Sequence, residues 1–176
     1  MAITDHFLEG LKGWLQDGEV DYKAPVSSAV TIPVYAGRVV HLNANGEVEM
    51  GIPATIGAGN VPLFVVLGND LEPMNVQGGD TATDPNAFAA PSLELPLLVS
   101  TRGYELASTE YDSAQSYSPG TLLTAANSNT DVNTGGVLKP ATLGTDPVCG
   151  VVSRGVGTWH YKNALAFWTY YDPKRA

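Results

Sequence analysis

The chain has a single cysteine, Cys149, among its 176 residues. No intrachain disulfide can form, and a small disulfide-stapled scaffold is excluded. Cys149 lies in the apolar run Pro147-Val148-Cys149-Gly150-Val151-Val152, where a small residue of a buried strand is the expected role rather than a reactive thiol. Charge is scarce as well. Charged residues make up 15% of the chain, against the usual quarter, so Ser, Thr, Asn and Gly, or a partner, must cover much of the surface. Positive charge is scarcest: 9 Lys and Arg stand against 18 Asp and Glu, for a net charge of −9. The closest approach to a basic cluster is Lys174-Arg175. Nucleic-acid affinity needs clustered cations to meet phosphates, so DNA or RNA binding is disfavoured, and a polybasic membrane patch is absent. The sequence holds no run of about 18 apolar residues and opens on no leader pattern. The chain reads as a soluble product made in the cytoplasm.

Motifs of catalysis are missing too. Ser153-Arg154-Gly155 lacks the leading glycine of a nucleophile elbow. His6, His41 and His160 sit far apart in unlike contexts, and His41 reads as a half-exposed strand residue. Asp70-x-Glu72 and the stretch from Gly78 to Asp84 offer two or three carboxylates, too few and wrongly spaced for a calcium loop. No glycine-rich loop joins a strand to a helix, so phosphate cradling lacks its context. No catalytic, cofactor-binding or metal-ligating residue is assigned, and the chain is expected not to be an enzyme.

What is present is a hydrophobic content of 44%, with 19 Gly and 12 Pro spread along the chain. That is enough for one domain with a real core and many short strands. The pieces Gly37–Leu42, Gly46-Glu47-Val48, Pro53-Ala54-Thr55-Ile56-Gly57 and Pro62–Val66 recur in the same order. Their echoes are Gly120–Ala125, Gly136-Val137-Leu138, Pro140-Ala141-Thr142-Leu143-Gly144 and Pro147–Val152. Each set reads as strand, turn, strand, Pro/Gly corner and strand.

In the first set Asn45-Gly46 is a strong hairpin signal, with Val48 and Met50 on one face and Glu47 and Glu49 on the other. In the second set the polar stretch Asn127–Gly136 replaces that tight turn. Val30–Tyr35 is strand-like, with Pro33 confining it to an edge or a start, and Val61–Leu67 reads as a central strand. Tyr104–Ala107 is a further strand, and Leu93–Ser100 and Ala164–Tyr171 are the closing strands. Residues 75–91 lack periodicity and form a long loop, whereas Gly155–Lys162 is its shorter counterpart.

Residues 3–17 carry the one helical period. Ile3, Phe7, Leu8, Leu11, Trp14 and Leu15 fall on one face, although Gly10 and Gly13 each cost about 1 kcal/mol relative to Ala. Such a helix must dock to persist, either on its own β core or on a partner. Phe7, Leu11 and Trp14 of this stripe, with Trp168 and Tyr170 of the aromatic closing strand, are the candidate partner interface.

The repeated unit resembles the head decoration (cement) proteins of tailed bacteriophages. The likeness rests on Pro119-Gly120-Thr121-Leu122-Leu123, Val148-Cys149-Gly150-Val151-Val152 and their first-half counterparts, about residues 30–67 and 118–171. The resemblance implies an all-β fold, mainly antiparallel, built as a barrel, β-tulip or sandwich from two related β units. The helical period, not the resemblance, adds one short N-terminal helix or arm (1–18) before a single β domain (19–176) with pseudo-repeats at about 30–100 and 118–172. This helix and the 75–91 loop depart from the family's pattern. The resemblance further implies a non-enzymatic virion protein on the capsid surface, binding the major capsid protein and itself, as a homotrimer or dimer, without cofactor. The alternatives are a tail, neck or spike component, or a carbohydrate-binding β-sandwich module stacking sugars on Trp168, Tyr170 and Tyr171.

Overall fold

In the computed structural model, residues 8–12, 22–32, 34–53, 62–65, 94–99, 103–159 and 162–172 are described. Among them are eleven strands and no helix: β1 (Leu8–Lys12), β2 (Tyr22–Pro25), β3 (Val39–Leu42), β4 (Val48–Met50), β5 (Leu63–Val65), β6 (Glu94–Val99), β7 (Glu105–Ser108), β8 (Leu122–Ala125), β9 (Leu138–Pro140), β10 (Val148–Trp159) and β11 (Lys162–Asp172). They form a six-stranded sheet in the order β1-β7-β11-β10-β8-β9 and a five-stranded sheet in the order β2-β6-β5-β3-β4. All neighbours within the two sheets pair antiparallel.

The two sheets share one connectivity. With β1 set aside, β7-β11-β10-β8-β9 matches β2-β6-β5-β3-β4 strand for strand. Register agrees as well: Leu42 pairs with Val48 as Ala125 pairs with Leu138, and Val39 pairs with Phe64 as Leu122 pairs with Val151. Gly37 and Gly120, each two residues before its strand, both take φ +89°, and Gly46 and Gly136 take +76° and +72°. Side chains rarely adopt this left-handed region, which explains glycine at these matched places. In each half the chain leaving the first strand also makes a parallel bridge to the third, Val26 to Val48 and Tyr111 to Leu138.

The first hairpin closes through a turn in which Gly46 N–H donates to the Asn43 carbonyl at 3.0 Å and Asn43 N–H to the Glu47 carbonyl at 2.8 Å. With Gly46 left-handed this is a type I turn ending in a glycine bulge. The Asn43 side-chain oxygen accepts from the N–H groups of Asn45 and Glu47. Val48 and Met50 are buried while Glu47 and Glu49 are partly exposed, as the alternation of side chains along a strand requires.

Several expectations are corrected. Leu8–Lys12, expected within a helix over 3–17, form β1 on the edge of β7. Gly10 weakens a helix, and pairing with β7 satisfies the backbone groups that an isolated short helix holds poorly. The remainder of that stretch lies outside the described residues, as do loop 75–91 and most of the Pro53–Gly57 corner. Among the described residues of Val30–Tyr35 no strand forms; a turn returns Val30 N–H to the Ser27 carbonyl at 3.0 Å. Gly155–Trp159 is no loop, since β10 continues through it and pairs with β11 down to Trp159 and Lys162. A bulge between Val152 and Gly155 resets the register on the way.

The halves interlock through the extended β8–β9 hairpin. Asn129 accepts Thr31 N–H on its carbonyl and Met50 N–H on its side-chain oxygen, at 2.9 and 2.8 Å. Val39 N–H donates to the Gly136 carbonyl at 2.9 Å. Arg38 is the central tie. Its Nε donates to Glu110 Oε2 at 2.9 Å, Nη1 to the Gly135 carbonyl at 2.9 Å and Nη2 to the Val132 carbonyl at 2.7 Å. Its guanidinium also lies 4.7 Å from the centre of the Tyr35 ring. One apolar cluster unites Ala24, Val34, Val40, Val48, Met50 and Leu63 within the first half. A second spans both halves, bringing Val39, Ile52 and Phe64 against Leu106, Leu123, Leu165 and Phe167.

Candidate interaction surface

Two of the candidate interface residues, Trp168 and Tyr170, lie on β11 within the six-stranded sheet. Trp168 and Tyr170, two apart on one strand, share its outward face and are 38% and 43% exposed. Between them Thr169 is buried and accepts Tyr104 N–H on its hydroxyl oxygen at 2.8 Å. Strand pairing sets Trp168 between Val151 of β10 and Glu105 of β7, and Val151 in turn beside Leu122 of β8. Leu122, Val151, Trp168 and Glu105 therefore form one row across the sheet.

Glu105 is buried, and its carboxylate is answered by Arg154, whose Nε and Nη2 donate to its two oxygens at 2.8 Å each. This forked bond holds the Arg154 guanidinium more firmly protonated than usual. The residue comes from the β10 bulge, which aims it back over β7. At the other end of the row a shallow depression of about 390 Å³ is lined by Gly120, Thr121, Leu122, Ala141 and Leu143. Leu143 is 69% exposed. It sits in a turn closed by the Thr145 and Asp146 N–H groups donating to the Thr142 carbonyl, with Gly144 at φ +77°.

Of the other candidates, Leu11 lies in β1, while Phe7 and Trp14 lie outside the described residues. Leu122, Leu143 and Val151 were not singled out from the sequence. Leu143 carried a signal nonetheless: a leucine between Thr142 and Gly144 in a turn has no strand face to turn inward.

Several titratable groups among the described residues make contacts within the fold. His41 is buried rather than half-exposed, because Gly51 and Glu49 flank it: Nδ1 lies 3.0 Å from the Gly51 carbonyl and Nε2 3.9 Å from Glu49 Oε2. Ser27 Oγ donates to Glu49 Oε1 at 3.4 Å. Serine, glutamate and histidine thus occur together, but in the wrong order, since the hydroxyl meets the carboxylate and no imidazole is there to take its proton. Hydrogen bonding from Asn43 chiefly holds the Glu49 carboxyl below the usual carboxylate range. Burial pushes the Cys149 thiol well above its usual range, which leaves no reactive thiolate. Tyr117 is likewise raised by burial, and its hydroxyl bridges the carbonyls of Asp112 and Leu138 at 3.0 and 3.1 Å.

Among the described residues no three His, Cys, Asp or Glu side chains converge as a metal site, and no helix is long and apolar enough to cross a membrane. The acidic stretch 70–84 lies outside them. No family model matches the chain, and neither a curated protein nor a solved structure matches it.

Proposed function

We propose that this chain is a non-enzymatic decoration (cement) protein of a tailed-phage capsid, bound to the outer shell through the major capsid protein and through its own copies. In this role each half curls into a small barrel, closed where Val26 meets Val48 and Tyr111 meets Leu138, and the two barrels act as one rigid block. The observation that carries the role is the division of labour among side chains. Arg38, Glu110, Glu105, Arg154 and the Asn43–Glu49 group are engaged in holding the fold. The outward face of β11, by contrast, offers Trp168 and Tyr170. Exposed aromatic side chains, beside a charge pair that neutralises itself, Glu105 with Arg154, are of the type enriched in interfaces. An acidic chain without clustered cations is also suited to a shell whose packaged nucleic acid it should not bind.

The test is co-sedimentation of the purified chain with shells lacking it. Saturable binding, and shells that then withstand heating or chelation better, are the expected result; protein left wholly in the supernatant overturns the role. The exposed pair Trp168 and Tyr170 also favours a second reading, a glycan-stacking module. Binding of isolated protein to a glycan array, lost in Trp168→Ala, would select it.

A further inference from the structure

Corresponding rows of the two sheets meet different fates. In the five-stranded sheet Val39 and its partner Phe64 are fully buried. They pack with Ile52 against Leu106, Leu123, Leu165 and Phe167 of the other half, and the Phe64 and Phe167 rings lie 5.4 Å apart. The same row in the six-stranded sheet is Leu122, Val151 and Trp168. Here Leu122 and Val151 are only partly buried and Trp168 is exposed. One β unit thus covers this face in the first half, and among the described residues there is no third unit to cover it in the second.

We propose that a second copy of this chain covers the Leu122–Val151–Trp168 face, with Leu143 and Tyr170 at its margin. The inference rests on the proposed function in taking this face for a contact surface, and it names the partner that occupies it. The partner is a like chain because the covering element already seen on the equivalent face is a β unit of this same chain. The electrostatics allow it despite the net charge of −9. The carboxylate at the end of the row, Glu105, is paired by Arg154 at both oxygens, so the contact buries no unanswered acid. Repulsion between two acidic copies is long-ranged and screened by salt, whereas apolar contact is not. Self-association should therefore strengthen from low to moderate salt.

Sedimentation velocity over a concentration series of the full chain tests this, at low and at moderate salt. The expected result is a concentration-dependent mass above that of the monomer, rising with salt. Trp168→Glu should weaken self-association by about tenfold or more, as loss of a central interface aromatic does. Leu143→Glu, on an exposed turn where folding is not at stake, should weaken it in the same direction. Val132→Ser, on the distant β8–β9 tip, should leave it unchanged, and all three should keep the wild-type far-UV spectrum. A wild-type protein that stays monomeric throughout, or Trp168→Glu and Leu143→Glu variants that associate as wild type does, overturns the inference. A monomeric protein that still binds capsids would overturn it and leave the decoration role standing. A self-associating protein that binds no capsid would do the reverse.

Discussion

Arg38 shows how a single residue can join two halves. It is 3% exposed and reaches Glu110, Gly135 and Val132 at once, all from the second half. A guanidinium so enclosed is tolerable only because each of its edges meets an acceptor or an aromatic face. Arg38→Ala leaves Glu110 buried without this partner and should cost about 3–5 kcal/mol of stability, read from urea unfolding. Replacing both residues by methionine should recover part of that loss, because no charge is then stranded. Glu49 sets a pH response. Its folded pKa lies below the ordinary carboxyl value, so it contributes stability above the unfolded pKa of about 4.3. That contribution is lost as pH falls through the folded value. Glu49→Gln should therefore destabilise the protein at neutral pH and flatten the acid limb of its stability curve. An acid limb identical to wild type would show that Glu49 contributes nothing there.

At the scale of elements, the β8–β9 hairpin is the part that differs most between the halves. Where the first half turns tightly at Asn43–Glu47, the second runs out to a tip whose backbone packs over the first half. Gly51, at φ +76°, lies so close to the Ala126 carbonyl that any Cβ there would collide with backbone. Gly51→Ala should thus be strongly destabilising, and cutting Asn127–Gly135 to a two-residue turn should split thermal unfolding into two transitions. A single unshifted transition in both variants would contradict the interlock.

The strands here were largely legible in the sequence. The alternation Val48-Glu49-Met50, the glycines bounding each run and the recurring order of pieces all follow from the period of two and from backbone needs that only glycine meets cheaply. The docking of the tip was not legible, because Asn127–Gly136 is polar apart from Val132 and two glycines and nothing in its composition says that its carbonyls will meet Arg38. Leu8–Lys12 misled for a related reason. Their apolar spacing suits a helix, and the open edge of β7 that claims them is a long-range fact. Removing residues 1–12 should leave the rest folded by far-UV spectroscopy but expose β7 as an unpaired edge that promotes aggregation. Unchanged light scattering would show that β1 does not protect that edge.

For the whole molecule, two units of one connectivity are joined by a buried arginine and a shared apolar cluster, and a single outward face carries Trp168, Tyr170 and Leu143. Within this chain the candidate contact residues were half legible. Trp168 and Tyr170 stood out as aromatics on a closing strand, while the row that joins them to Val151 and Leu122 exists only once the strands are paired. The decoration role makes one demand that tail, neck, spike and glycan-binding roles do not share, which is stoichiometry. Quantitative mass spectrometry of purified particles from the genome that encodes this chain, with the major capsid protein as internal standard, measures it. The decoration role predicts copies approaching the number of capsomer-related sites; a handful of copies per particle, or none, would contradict it.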